Sequence, residues 1–337
     1  MRESSRLKSL DSARGIAATL VLVYHIKLVL SNDGLTNDGI WNLPLLRIFF
    51  ELGEVSVFFF MLLSGYVLAQ VIHYSNSTKI RLLCWRIFRL SSIYYLSLII
   101  AFALSNFSQE MQYQIRGSDL IHTYLLSNYT VFSGVNPPLW SLSVEILFSI
   151  LFFSLPKSYF LTKKIRQGIL AVMCLIFCYV PEQWGLISLF RCFAFFLLGV
   201  IIFNSREYVE RIKLNGRVLI SILAAQLFLL DFSRSWGYFF LPLTLPLLMI
   251  YLISTKNRFL NSDFAANLGS LSFSLYVIHW PVLSVLARFE KFESSNENLR
   301  FAFLVLICFM TAKFFHIFID KPISMTSKKI LISTGRA

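Results

Sequence analysis

Six ionisable side chains fall inside, or at the edge of, long apolar runs: Arg14, His25, Arg86, Arg89, Glu145 and His279. Charged and titratable groups are costly in hydrocarbon, so such positions are functional candidates by default. Arg14 and His25 stand eleven residues apart, about three turns of helix, and therefore share a face. His25 then lies about 16 Å beyond Arg14 along that face. A permanently charged guanidinium at the mouth of a bundle suits an anionic ligand. An imidazole deep within it suits proton transfer, its ordinary pKa being near neutrality. Spacing alone equally allows an anchoring arginine and a histidine hydrogen-bonded between helices.

Three more constellations follow along the chain. Trp140-Ser141-Leu142-Ser143-Val144-Glu145 comes directly after Asn136-Pro137-Pro138-Leu139. Trp140 suits an interface, and Ser141 and Glu145 share a face at i, i+4. Glu145 lies a turn or two below the surface, deep enough to approach His25, although a helix start with a dipole-favoured acid has the same letters. In Ser272-Phe273-Ser274-Leu275-Tyr276-Val277-Ile278-His279-Trp280-Pro281, the side chains of Ser272, Tyr276 and His279 fall on one face. Pro281 frees the carbonyl one turn earlier for a polar partner, and a kinked helix with a structural histidine fits as well. Lastly, Lys79, Arg81, Arg86 and Arg89 form a basic cluster in which Arg86 and Arg89 are i, i+3. Arginine holds phosphate well through its planar fork, but ordinary basic anchoring at a membrane surface gives the same pattern. His73, His122 and His316 read as structural, and Lys27, Lys313, Glu51 and Glu54 as interfacial or snorkelling. No metal site is expected, and Cys174 and Cys178, one turn apart, read as small packing residues.

The elements that must position these groups are membrane helices. The 337 residues are 56% hydrophobic and 15% charged, with 34 Phe and a net charge of +13. Soluble domains average about 25% charged residues. The balance excludes a soluble enzyme, a disordered protein and a nucleic-acid binder. Ten apolar windows of spanning length centre near Leu22, Leu62, Leu98, Ile150, Cys174, Phe196, Leu223, Pro246, Tyr276 and Ile307. The first is not expected to be a cleaved leader, because Arg14, His25 and Lys27 interrupt or flank it. With ten spans both termini share a side. Most of the 31 Lys and Arg then fall in the segments on the N-terminal side, which the positive-inside rule makes cytoplasmic. The expectation is an all-α polytopic membrane protein, a single domain over residues 1–337. Two long outer loops, near 31–54 and 106–139, are candidates for acceptor contact.

Together these motifs resemble the acyltransferase-3 family of integral-membrane acyltransferases. Arg14 and His25 match its first-span signature of Arg, ten residues, His. The run Val57 to Tyr66 is similar to its Phe-Phe-x-x-Ser-Gly-Phe segment, and Arg86-Ile87-Phe88-Arg89 to its Arg-x-x-Arg. Trp140 to Glu145 resembles its Trp-Ser-Leu-Ser-x-Glu block. Ser272 to Pro281 resembles Ser-x-Ser-x-Tyr-x-x-His-x-Pro. Five motifs in family order cover nearly the whole chain. The resemblance implies a ten-helix enzyme of a bacterial inner membrane. It would move an acyl group, usually acetyl, from cytoplasmic acyl-CoA to a hydroxyl of an envelope or secreted glycan or glycolipid, with no bound cofactor. It implies His25 as the catalytic histidine and Arg14, Arg86 and Arg89 on the coenzyme A side. Glu145 would orient His25, and Trp140, Ser141, Ser143, Ser272, Tyr276 and His279 would support the centre. Ile146 stands where many members carry a second Glu, Asp320-Lys321-Pro322 where many have Glu-x-Pro, and Ser91-Ser92 where a proline is usual. No fused SGNH-type domain is expected, so the chain acts alone or hands its acyl group to a separate extracytoplasmic partner. The rival reading is a proton-coupled transporter or a polysaccharide polymerase, which buried His and Glu also suit.

Overall fold

The computed structural model describes residues 8–32, 44–106, 136–154, 186–286 and 297–332, with residues 168, 172 and 176 singly. Among the described residues the chain is helical and contains no strand. We number the helices α1 (Lys8–Asn32), α2 (Pro44–Tyr74), α3 (Lys79–Asn106), α4 (Trp140–Ser154), α5 (Leu186–Asn204), α6 (Gly216–Phe232), α7 (Arg234–Ser254), α8 (Asp263–Leu286), α9 (Glu297–Phe315) and α10 (Lys321–Ile332). A 3-10 turn, Pro137–Leu139, leads into α4, and a π turn, His316–Asp320, joins α9 to α10.

Among the described residues, eight helical segments are long and apolar enough to cross a membrane, and Gly216–Leu230 is a shorter apolar helix. They coincide with nine of the expected windows. The window near Cys174, like Cys178, His122 and most of the 106–139 loop, lies outside the described residues. The molecule is an all-α polytopic membrane protein. Helix α7 runs unbroken through Pro242 and Pro246.

Local chemistry fixes several helix starts. The Asn215 side chain accepts a hydrogen bond from Arg217 N at 2.9 Å and caps α6. Ahead of α8, Ser262 Oγ accepts from Ala265 N, and Lys8 Nζ donates to Asp263 at 2.7 Å, tying the starts of α1 and α8 together. From there α1 packs along α8, and α2 packs along α5. Both contacts are close because glycines face each other. A Cβ on Gly269 would sit 2.0 Å from Asp11 O, and one on Gly65 would sit 1.9 Å from Phe196 O. Small residues at such crossings let backbones approach where no hydrophobic drive separates helix from lipid.

Two apolar cores result. One gathers α2, α4, α5 and α7 around Leu62, Phe195, Phe196 and Leu241. The other gathers α1, α3, α4, α8 and α9 around Leu22, Ile93, Val277 and Cys308. Phe60 packs against both. Where α1, α2, α4 and α8 converge between the cores, the polar side chains meet.

Candidate active site

Pro281 sets the geometry of the centre. It has no N–H to give, so the carbonyl of Val277 lacks its helical partner. The Asn136 side chain takes that place, with Nδ2 donating to Val277 O at 3.1 Å. Asn136 thereby pins the 3-10 turn against α8. The turn presents Pro138 O to Tyr276, whose hydroxyl donates to it at 2.6 Å. Ser141 Oγ lies 2.5 Å from the same phenol oxygen. Because the phenol proton is already given to Pro138 O, the serine is the donor.

Along one face of α8, three residues each meet a different sequence-identified group. Ser272 Oγ accepts from Arg14 Nε at 2.8 Å. Tyr276 meets Ser141, and His279 Nε2 lies 3.3 Å from His25 Nδ1. His25 Nδ1 is also 2.9 Å from Val21 O, and His279 Nδ1 is 3.1 Å from Leu275 O. A carbonyl only accepts, so both Nδ1 atoms carry hydrogen. In the neutral rings both Nε2 atoms are then lone-pair bearers. His279 Nε2 accepts from His25 Nδ1–H, which it shares with Val21 O. The remaining nitrogen, His25 Nε2, makes no hydrogen bond among the described residues. It is left as the lone-pair nitrogen of the pair, and His279 stands behind it. Tyr24 and Trp280 flank His25 edge-on, at ring-centroid distances of 5.1 and 5.4 Å.

Two cavities lie end to end along α1 and α8. The first, of about 290 Å³, is lined by His25, Tyr24, Glu54, Trp140, Arg191, Tyr238 and Trp280 among others. The second, of about 150 Å³, lies toward the N-terminal end of α1. It is lined by Arg14, Ser64, Trp85, Arg86, Arg89, Glu145 and Ser272 among others. Tyr276 borders both. Its ring, held by Pro138 O and Ser141, is the wall between them.

The expected pairing of Glu145 with His25 is not found. Glu145 opens on the second cavity, where its Oε1 takes a hydrogen bond from Arg86 at 2.5 Å and one from Ser64 Oγ at 2.8 Å. The sequence gives depth along a helix but not the direction in which neighbouring helices turn their faces. Arg86 is correspondingly engaged, donating also to Ser64 at 2.6 Å and to Ser149 at 2.9 Å. Arg14 is engaged as well, with Ser272, with Gly269 O at 2.8 Å and with Asp11 at 3.5 Å, while Arg89 lines the same cavity. Arg89 Nε and the indole Nε1 of Trp85, both on this cavity, are buried without a hydrogen-bond partner among the described residues. Ser143 stands apart, fully buried, with its hydroxyl 3.4 Å from Tyr94 on α3.

Sequence reasoning missed three members of the first cavity. Glu54, read as interfacial, accepts from Tyr24 at 3.0 Å and from Tyr238. Arg191, 2% exposed, lies 5.1 Å over the Tyr238 ring. No spacing signal joins residues 54, 191 and 238. His316, read as structural, meets Asp320 at i+4, 2.8 Å away.

A family model described as an acyltransferase domain matches residues 7–314. No curated protein and no solved structure matches the chain. The match takes in both cavities, the two imidazoles and the wall between the cavities, and on it the chain belongs to the acyltransferase-3 family, as a membrane acyltransferase.

Proposed function

We propose that this acyltransferase moves a short acyl group, acetyl foremost, from cytoplasmic acyl-CoA to a hydroxyl of an envelope or secreted glycan across a bacterial inner membrane. One observation carries the reading. A lone-pair imidazole nitrogen faces one cavity, and an arginine-lined cavity lies directly behind a single tyrosine ring. The positive-inside count makes the arginine side cytoplasmic.

Acyl-CoA enters there. Arg14 and Arg89 hold its phosphates, and the buried N–H groups of Arg89 and Trp85 give its polar atoms partners they otherwise lack. The thioester reaches the wall at Tyr276. From the opposite cavity the acceptor hydroxyl meets His25 Nε2, which takes its proton as the oxygen attacks the thioester carbonyl. The tetrahedral oxyanion accepts from Ser141 and from Tyr276, the latter exchanging Pro138 O for the new partner. The C–S bond then breaks, and the proton on His25 passes to the departing thiolate. His279 steadies the ring and, through its Nε2, the charge that His25 acquires, a part that a carboxylate plays in a catalytic triad. Bundle packing keeps bulk water from the thioester.

Proteoliposomes given radiolabelled acetyl-CoA and glycan pools test the reading. Wild type transfers label to glycan, and a well-inserted His25→Ala variant loses at least a hundredfold of that rate. Undiminished transfer by the variant defeats the mechanism. Passage of a cargo unaltered, with no dependence on acyl-CoA, returns the chain to the transporter reading.

A further inference from the structure

A third cavity, of about 280 Å³, lies between the α1–α2 and α6–α7 pairs and shares no lining residue with the other two. Aliphatic and Phe side chains make up nearly all of its wall. The polar exceptions within it give their donors to backbone carbonyls. Ser56 Oγ donates to Leu52 O at 2.7 Å, Thr244 Oγ1 to Phe240 O at 3.3 Å, and Gln226 Nε2 to Gly237 O at 2.6 Å, while Gln226 Oε1 is buried. Along α7 the lining runs from Leu241 to Leu252, a length of about 16 Å. That is the depth of one leaflet, half of a hydrocarbon core about 30 Å thick. At one end of the cavity Leu230 and Leu241 are buried. At the other, Ile16 is exposed and Tyr251 and Leu260 are half-buried, so the cavity opens there. This end holds the starts of α1 and α6 and the close of α7, and the positive-inside rule makes it cytoplasmic.

The open end is basic. Gly216, at the start of α6, faces the Tyr251 hydroxyl, which lies 3.1 Å from where a Cβ on the glycine would stand, and Arg217 follows it. Lys256 and Arg258 lie in the turn that carries Leu260 to the cavity. All three cations are exposed, and none forms an ion pair among the described residues. Asp263, the acid nearest along the chain to Lys256 and Arg258, is taken by Lys8 at 2.7 Å. We propose that the cavity seats one tail of an anionic phospholipid of the cytoplasmic leaflet, with the phosphate among Arg217, Lys256 and Arg258 and the Tyr251 hydroxyl donating to the head. Basic pockets between membrane helices on the cytoplasmic side suit such heads. The tail fills a space in which water would find no partners. An anion without a tail leaves that space unfilled, and a zwitterionic lipid brings an amine that the cations repel. Helices α6 and α7 pack closely on each other and touch α1 and α2 only lightly, so the lipid holds one pair to the other.

The test offers the full chain in detergent equal amounts of phosphatidylglycerol and phosphatidylcholine with matched tails, and reads the retained lipid by native mass spectrometry. Wild type should keep phosphatidylglycerol in preference. Arg217→Gln, Lys256→Gln and Arg258→Gln should each weaken that preference about fivefold. Leu248→Trp, which fills the cavity from α7, should lose the phosphatidylglycerol with all three cations in place. Where the Trp variant does not fold, Leu248→Phe is the smaller filling and carries the same expectation. Equal retention of the two lipids by wild type, or of neither, overturns the proposal. So does an undiminished preference when all three cations are Gln, which would make them plain membrane anchors. Undiminished phosphatidylglycerol on a folded Leu248 variant overturns it too, because the lipid would then be held by its head alone.

Discussion

At the scale of single residues, Arg86 shows how a charge in a ligand cavity is a structural member first. Its guanidinium reaches Ser149, Ser64 and Glu145, and the Ser64 hydroxyl closes the ring by donating to the same carboxylate. Breaking a buried pair leaves an uncompensated charge and costs about 3–5 kcal/mol, whereas replacing both partners with apolar groups is often neutral. Arg86→Met and Glu145→Leu should each lower thermal stability in detergent strongly, and the double variant should regain most of the loss. If Arg86→Met unfolds like wild type but binds acyl-CoA poorly, the arginine is a ligand and not a strut. The same pair marks what the sequence made legible. Depth was legible: apolar windows and helical spacing put Arg14, Ser272, Tyr276 and His279 at levels where each meets a partner. Azimuth was not. Glu145 opens on the arginine-lined cavity rather than on that of His25, its partners come from α2 and α3, and no one-dimensional pattern records that placement. Glu54 was lost for the related reason that its partners come from residues 24 and 238, far apart in the chain.

At the scale of elements, the site depends on two helix crossings tight enough to bring backbones together. Gly65 and Gly199 face each other on α2 and α5, where a Cβ on either meets a carbonyl oxygen at 1.9 Å. Ser64, next in the chain, is the residue that binds Glu145 and Arg86. Gly65→Ala forces the crossing apart and overpacking of this kind costs about 1–3 kcal/mol. The expected outcome is a lower melting temperature and a raised KM for the acyl donor. A variant as stable as wild type, with donor KM unchanged, would show that the crossing relaxes freely. Pro281 works through an element as well. It removes one helical hydrogen bond from α8, and the vacated carbonyl recruits Asn136, so a turn from a distant loop becomes part of the wall. That need for a polar partner was readable from the proline; that Asn136 would be the partner was not.

At the scale of the whole molecule, two cavities approach each other through a bundle that otherwise excludes water, and one ring divides them. An electric field across a membrane falls most steeply where the conducting spaces on either side come closest. In this protein that place is Tyr276. Moving one elementary charge through the full potential is worth about 2.3 kcal/mol per 100 mV. In acetyl transfer the acyl group goes one way as the proton goes the other, and no net charge crosses the ring. Reconstituted protein held at zero or at 100 mV with a potassium gradient and valinomycin should therefore transfer acetyl at the same initial rate. A several-fold dependence would show that charge moves by a route other than this one. A succinyl group would carry its carboxylate through the same gap, and an interior-negative voltage would push it outward. The position of one tyrosine thus makes membrane voltage a discriminator between acyl groups, a selectivity that no contact with the donor needs to supply.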